Sequence, residues 1–284
     1  MKSLQNIVED IYENIRPLCE GDSIDLTEEQ IDKFGDDMKE VLRGWANPTR
    51  RDSSFILRMS NLGKPARQLW FDKQSETSSS VAPSTMIKFL YGHILEELVL
   101  MLARLSGHDV TDEQKEVNVS GVSGHMDCKI DGEVVDIKSA SSFAFKKFKY
   151  GTLPDDDPFG YIAQLSGYEA AEGTNQGGFL TINKETGELA FYCPDDFDKI
   201  NASERISYLG EVLASDEPPE KCYEDVPEGA KGNMKLSRGC SYCPHKFLCH
   251  ADANDGEGLR AFRYAKGITY FTKVEKAPNV EEVL

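Results

Sequence analysis

From Leu4 onward, Ile7, Val8, Ile11, Ile15 and Leu18 recur at helical spacing, and Gly21 follows where such a helix stops. The pattern predicts a first amphipathic helix. A second begins after Thr27, a good capping residue, and carries Ile31, Phe34, Met38, Val41, Leu42 and Trp45 on one stripe as far as Asn47-Pro48. Ser60 is placed to cap a short helix through Trp70, and Lys73 to Ser84 reads as a Ser/Thr-rich loop with Pro83 near the next helix start. Thr85 to about Leu105 predicts a long, mostly buried helix. The period then shortens: Val117 to Val119, Gly124 to Ile130 and Glu133 to Ile137 predict strands, the last two joined by the hairpin dipeptide Asp131-Gly132. Pro158 opens a helix to about Ala171 with Gly173 beyond its end, and Phe179 to Asn183 and Leu189 to Tyr192 predict a hairpin across Glu185-Thr186-Gly187. The sum is an α/β fold in which helices flank a mixed sheet. A helical layer over residues 1–50 precedes this core at 51–215, and a cysteine-bearing segment over 216–284 follows it.

With 284 residues, 39% of them hydrophobic, the chain can bury a full core. No apolar run is long enough to span a membrane, and the opening MKSLQNIVEDIYENIRPL is broken by acids rather than shaped as a secretion signal, so a soluble cytoplasmic protein is expected. Seven cysteines in a reducing compartment point to metal ligands rather than disulfides. The net charge of -17 counts against a protein that coats nucleic acid; a DNA enzyme with this balance must bind through a restricted groove.

Candidate chemistry sits on the first hairpin. If Asp131 and Gly132 are the turn, Ile130 pairs with Glu133 and Asp127 falls opposite Asp136. Two facing carboxylates repel unless a cation lies between them. Lys138 projects from the same face, whereas Met126, Cys128, Ile130, Val135 and Ile137 form the core-facing set. Such a hairpin can hold Mg²⁺, with the lysine orienting water or stabilising developing negative charge. The competing reading is a solvent-facing hairpin with a weak Asp–Lys ion pair.

The flanking helices offer complementary groups. His93 and Glu97 share a face of the long helix, and Glu97, set among apolar neighbours, needs a partner that keeps it ionised; Glu96 is the alternative ligand, and His93 is equally at home as a structural histidine. Gln164 and Tyr168 share a face of the later helix and can donate to a phosphate, and Gly160 and Gly167 on that helix suggest close backbone approach.

Gly92-His93 with Glu97, Gly124-His125-Met126-Asp127, Asp136-Ile137-Lys138 and Gln164-Leu165-Ser166-Gly167-Tyr168 occur in an order that resembles the PD-(D/E)XK nuclease superfamily, in its RecB-like branch of CRISPR-associated spacer-acquisition nucleases and phage exonucleases. The resemblance covers about Arg58 to His250. It implies a restriction-endonuclease-like core, with Glu97, Asp127, Asp136 and the Ile137 carbonyl around Mg²⁺ or Mn²⁺ and His93 assisting. It also implies that Lys138 serves the water and that Gln164 and Tyr168 support the lysine and DNA. The implied activity is DNA exonuclease in phage or bacterial recombination, repair or replication, alongside proteins of those pathways. If phage-borne, it would act in the host cytoplasm.

Cys240, Cys243 and Cys249 fall within ten residues, a spacing that suits a soft metal ion better than three packing cysteines. The resemblance implies an iron–sulfur cluster with this triplet and one upstream cysteine, but Pro65 stands where that cysteine is expected. Cys222, or less favourably Cys19, can supply a fourth thiolate to a [4Fe-4S] cluster; zinc can complete its tetrahedron with Cys222, His245 or His250. Basic groups at Arg50-Arg51, Lys64 with Arg67, Lys146-Lys147 with Lys149, and Lys231 to Arg238 are candidate DNA contacts. Phe143, Phe145, Phe148 and Tyr150 interleave with the third group, which suits a single-stranded end. Two other classes stay open, a site-specific endonuclease and a non-catalytic nucleic-acid-binding or assembly module.

Overall fold

The computed structural model describes residues 2–48, 55–75 and 81–283. Its helices include α1 (Ile7–Glu20), α2 (Glu28–Ala46), α3 (Ala66–Gln74), α4 (Pro83–Leu105), α5 (Ser142–Lys149), α6 (Tyr161–Glu172), α7 (Ala202–Ala214), α8 (Arg238–Tyr242) and α9 (Lys246–Cys249). The strands are β1 (Val110–Thr111), β2 (Glu116–Val119), β3 (Val122–His125), β4 (Cys128–Ile130), β5 (Glu133–Ala140), β6 (Gly178–Asn183), β7 (Leu189–Tyr192), β8 (Val226–Glu228), β9 (Asn233–Lys235), β10 (Arg260–Tyr264) and β11 (Gly267–Lys273). Contacts group the chain into two compact units, Met1–Gly63 with Glu76–Ser207, and Lys64–Ser75 with Tyr208–Leu284.

In the first unit the sheet runs β1-β4-β5-β6-β7. Only β5 and β6 are parallel; their neighbours pair antiparallel. This is the mixed sheet between helices that the motif order implies. One sheet face buries Cys128, Ile130, Val135, Ile137, Leu180 and Ile182 against Leu95, Val99, Leu100 and Ala103 of α4. Ile7 and Ile11 of α1, both fully buried, join the same cluster, each contributing about 1.5–3 kcal/mol of burial. The first helix is therefore part of the main core rather than an accessory layer. By contrast α2 buries none of its residues, although its Thr27 cap forms the reciprocal capping box with Gln30.

The hairpin turn has the predicted conformation, with Asp131 at φ 53° and Gly132 at φ 89°. An aspartate tolerates this region when its side chain is locally bonded. Here Asp131 Oδ1 accepts from the Asp109 amide at 3.1 Å and Oδ2 meets Nδ1 of the buried His108 at 2.6 Å. On its other side His108 Nε2 lies 3.2 Å from Asp10 of α1, so the turn is tied to both β1 and the first helix.

Three expectations are corrected. The strand from Gly124 to Ile130 breaks into β3 and β4, because Met126 donates to the Lys115 carbonyl and the Asp127 carbonyl accepts from Gln114, which diverts both residues from the β5 ladder. Ser60 does not cap the short helix through Trp70: Met59–Asn61 is a single 3-10 turn and α3 starts only after Pro65, with Lys73 still inside it. Pro158 does not begin α6. Gly160, at φ 71°, is its N-cap rather than an interior residue, and a Cβ there would stand 2.3 Å from the Gly63 Cα. The basic, aromatic stretch after Lys138 is itself a helix, α5, whose Ser141 cap accepts from Ala144 at 3.4 Å and whose Phe145 and Phe148 are buried.

The second unit carries a four-stranded antiparallel sheet, β10-β11-β9-β8, which the periodicity does not announce. Among the described residues no helix is long and apolar enough to cross a membrane.

Candidate active site

The register Ile130↔Glu133 and Cys128↔Val135 is the one counted from the turn, and continuing it by one step sets Asp127 opposite Asp136. Asp127 lies just outside β4 and uses Oδ2 to accept the Ile137 amide at 2.7 Å. Asp136 is 1% exposed; its Oδ1 has no hydrogen-bond partner, and Oδ2 is in direct ion-pair contact with Lys138. Burial raises the Asp127 carboxyl well above the usual carboxylate range, and the charge of Asp136 adds to the rise. The Asp136 carboxyl is raised too, again chiefly by burial, although Lys138 opposes the shift.

Burial alone would lower the Lys138 ammonium, but Asp136 and Asp127 outweigh it and the net shift is upward. This lysine is therefore a cation at neutral pH and a poor proton acceptor. Its Nζ sits 5.1 Å from the ring centre of Tyr161, the first residue of α6, in cation–π contact. Tyr161 went unnoticed in the sequence reading. An aromatic immediately after a turn glycine, three residues before Gln164, was the available signal.

On α4 the structure separates the two adjacent glutamates. Glu96 is the one whose charge acts on both Asp127 and Asp136; it accepts from Gln114 Nε2 at 2.7 Å. His93, largely exposed, lies 3.6 Å from Glu96 through Nδ1, and that contact raises its imidazole. Glu97 faces elsewhere. Its carboxylate converges with those of Asp37 and Glu113, their ligand atoms within 4.8 Å of one another, in a network with Lys33 and Arg104. Burial, then Asp37, Glu96 and Glu113, push the Glu97 carboxyl up to about 7. A helix turns about 100° per residue, so the two neighbours diverge, the charge of Glu96 acting on the hairpin aspartates and the Glu97 carboxylate meeting those of Asp37 and Glu113.

Gln164 and Tyr168 come together as expected, Gln164 Nε2 donating to the Tyr168 hydroxyl at 2.8 Å. Tyr168 is only 2% exposed, and Asp136, Asp127 and Lys138 are among the charges acting on it. So buried a ring supports the site from behind instead of meeting DNA. It also packs where Gly124 leaves space, for a Cβ there would be 2.9 Å from Tyr168 Cε1.

The donor set fits a hard divalent cation. Asp136, buried with an orphaned oxygen, faces Asp127 beside the Lys138 amine, and the charge of Glu96 acts on both carboxylates, although among the described residues the carboxylates whose oxygens converge within 4.8 Å are those of Asp37, Glu97 and Glu113. Glu96, Asp127 and Asp136 would hold the ion, with the Ile137 carbonyl as a further oxygen. One consequence is measurable. Asp127 is raised in the fold relative to the unfolded chain, so the metal-free protein loses stability as pH climbs from the ordinary carboxylate range through the raised value. Asp127→Asn should then raise the metal-free melting temperature at pH 7, by roughly 2–4 °C if about 1 kcal/mol of this cost is relieved. Mg²⁺ should stabilise the unsubstituted protein and not the variant in the same thermal scans.

In the second unit, Cys243 donates its amide to the Cys240 carbonyl at 3.1 Å, which closes the end of α8, and Cys249 donates to the carbonyl of His245, the N-cap of α9, at 2.8 Å. Cys222 joins it: Cys249 is among the charges acting on its thiol, and Cys222 and Cys249 both act on Cys240. Backbone amides of Arg67 and Gln68 at the start of α3 point to Cys222, and Arg67 Nε lies 3.0 Å from the Cys249 sulfur. His245 is engaged with Asp72 at 2.6 Å, whereas His250 is buried with both ring nitrogens unpartnered. Thiolates are donors of the soft-metal class, but among the described residues no three cysteine sulfurs converge within 4.8 Å. Of the other basic groups, Arg50 and Arg51 lie outside the described residues.

No family model matches the chain, and no curated protein does. Among solved structures it is similar to the protein SSO0001, at 15% identity over 75% of this chain and 93% of that one, with a TM-score of 0.41. It is also similar to a phage-related exonuclease from Haemophilus somnus 129PT, at 13% identity over 56% of this chain and 93% of that chain, with a TM-score of 0.40. A third is an alkaline exonuclease from Laribacter hongkongensis, at 16% identity over 62% of this chain and 94% of that chain, TM-score 0.38.

Proposed function

We infer that the chain is a magnesium-dependent deoxyribonuclease that hydrolyses phosphodiester bonds from DNA ends. The observation that carries this reading is buried Asp136, one oxygen unsatisfied, facing Asp127 and paired with the protonated Lys138, with the charge of Glu96 acting on both carboxylates. A bare packing site would not bury this much like charge. When bound, Mg²⁺ or Mn²⁺ polarises the phosphate and lowers the pKa of its water. Asp127, Asp136 and Glu96 would hold such an ion, and Lys138 places its ammonium against the negative charge that develops on the phosphate oxygens. Asp136 and the Tyr161 ring hold the ammonium in place, while Gln164 and buried Tyr168 brace the helix behind it.

Action from a free end, and a place in phage or bacterial recombination, repair or replication, rest on the motif resemblance. End-labelled single- and double-stranded DNA, with and without Mg²⁺, tested beside a covalently closed circle, decides the matter. Loss of linear DNA only when Mg²⁺ is present, with the circle intact, is the expected result; degradation of the circle makes the protein an endonuclease, and no degradation removes the nuclease reading.

The cysteines support a structural metal, zinc or an iron–sulfur cluster, held by Cys222, Cys240, Cys243 and Cys249. Metal binding there would add to the stability of the second unit. Protein purified without oxygen should carry iron or zinc and lose it on Cys222→Ser; a metal-free protein would leave four packing thiols.

A further inference from the structure

Phe159 leaves 64% of its surface in solvent, yet its position is closely defined. The ring stacks on Tyr161 with centres 5.4 Å apart and planes at 28°, and Tyr161 is the ring that carries the Lys138 ammonium at 5.1 Å. The turn beneath it is fastened at several points. Gly160 donates to the Asp157 carbonyl at 3.2 Å, Asp157 Oδ2 accepts from Ile162 at 2.9 Å, and the Gly160 backbone packs against Gly63 with no space for a side chain. An exposed ring is thus held two stacked steps from the reacting cation, its outer surface open to solvent.

From these contacts we propose that Phe159 is a stacking platform for an unpaired nucleobase beside the scissile phosphate, which makes single-stranded or frayed DNA ends the preferred substrate. The proposal rests on the nuclease reading above and adds the substrate class. A phosphate held at Lys138 carries its sugar and base within one nucleotide's reach, and Phe159 is an exposed ring joined to that point through Tyr161. Stacking on an aromatic ring accepts any base, because every base has a π-face, and so suits an enzyme with no separate sequence-reading element. In a duplex both faces of an internal base are already stacked, so only an unpaired or fraying end can use the platform. The fastened turn means that little ordering cost falls on binding.

The test uses a single strand with 2-aminopurine at its end and phosphorothioate linkages that resist cutting, together with a cleavable strand and its counterpart lacking the terminal base. Bound to the full-length protein, 2-aminopurine should be quenched; Phe159→Ala should abolish the quenching and Phe159→Trp should retain it, all three with unchanged melting temperatures. On cleavable single strands Phe159→Ala should lower kcat/KM roughly 10- to 100-fold. The strand without a terminal base should be cut alike by both proteins. Quenching and cutting by Phe159→Ala at the level of the unsubstituted protein overturns the platform. DNA cleavage without Phe159-dependent quenching overturns the platform and leaves the nuclease; quenching without any cleavage keeps the platform and overturns the nuclease.

Discussion

Lys138→Ala should lower the rate of Mg²⁺-dependent DNA hydrolysis roughly 100- to 1,000-fold while the protein stays folded. The side chain keeps 20% of its surface exposed and pairs with Asp136 and the Tyr161 ring. Losing it takes away the one ammonium aimed at the charge that forms during bond cleavage. Because the lysine is held protonated by Asp136 and Asp127, its loss should not shift the alkaline limb of the pH–rate profile in the way that loss of a general base would. Measuring kcat across pH for both proteins checks the magnitude and the shape together. Residual activity close to that of the unsubstituted protein would show that the lysine serves only to neutralise a buried acid.

The second large effect separates two neighbours. Glu96→Gln should weaken Mg²⁺ binding and activity about 10- to 100-fold, because its charge is the one felt by Asp127 and Asp136. Glu97→Gln should leave both nearly unchanged. Its carboxyl is already pushed up to about 7, so a neutral isostere costs little, and relieving its repulsion with Asp37 and Glu113 should hold or raise stability at neutral pH. Mg²⁺ titration by calorimetry and steady-state cleavage on the two single variants give the comparison directly. The reverse ranking would restore Glu97 to the site.

Much of this arrangement is legible in the sequence for definite reasons. The Asp131-Gly132 turn has one conformation that suits a tight hairpin, and that conformation sets the register that brings Asp127 to Asp136. Alternation then assigns Lys138 to the same face and Ile137 to the core. What helical spacing could not resolve is which of two consecutive glutamates faces inward, because both lie within an apolar run and the partners that settle it, Gln114, Asp37 and Glu113, come from segments far along the chain. Tyr161 and Phe159 escaped for a similar reason: nothing local says that Gly160 must turn left-handed against Gly63 and so set Tyr161 at Lys138 with Phe159 stacked on it. The sheet of the second unit is built from strands of three to seven residues with weak alternation, too short for period to speak.

Exchanging Mg²⁺ for Mn²⁺ in crystals and recording the anomalous signal would locate the ion itself. The account predicts a peak bounded by Asp127, Asp136 and Glu96, at metal–oxygen distances of about 2.1 Å, with Lys138 next to it. A peak among Asp37, Glu97 and Glu113 instead, or no peak at the hairpin, would contradict it.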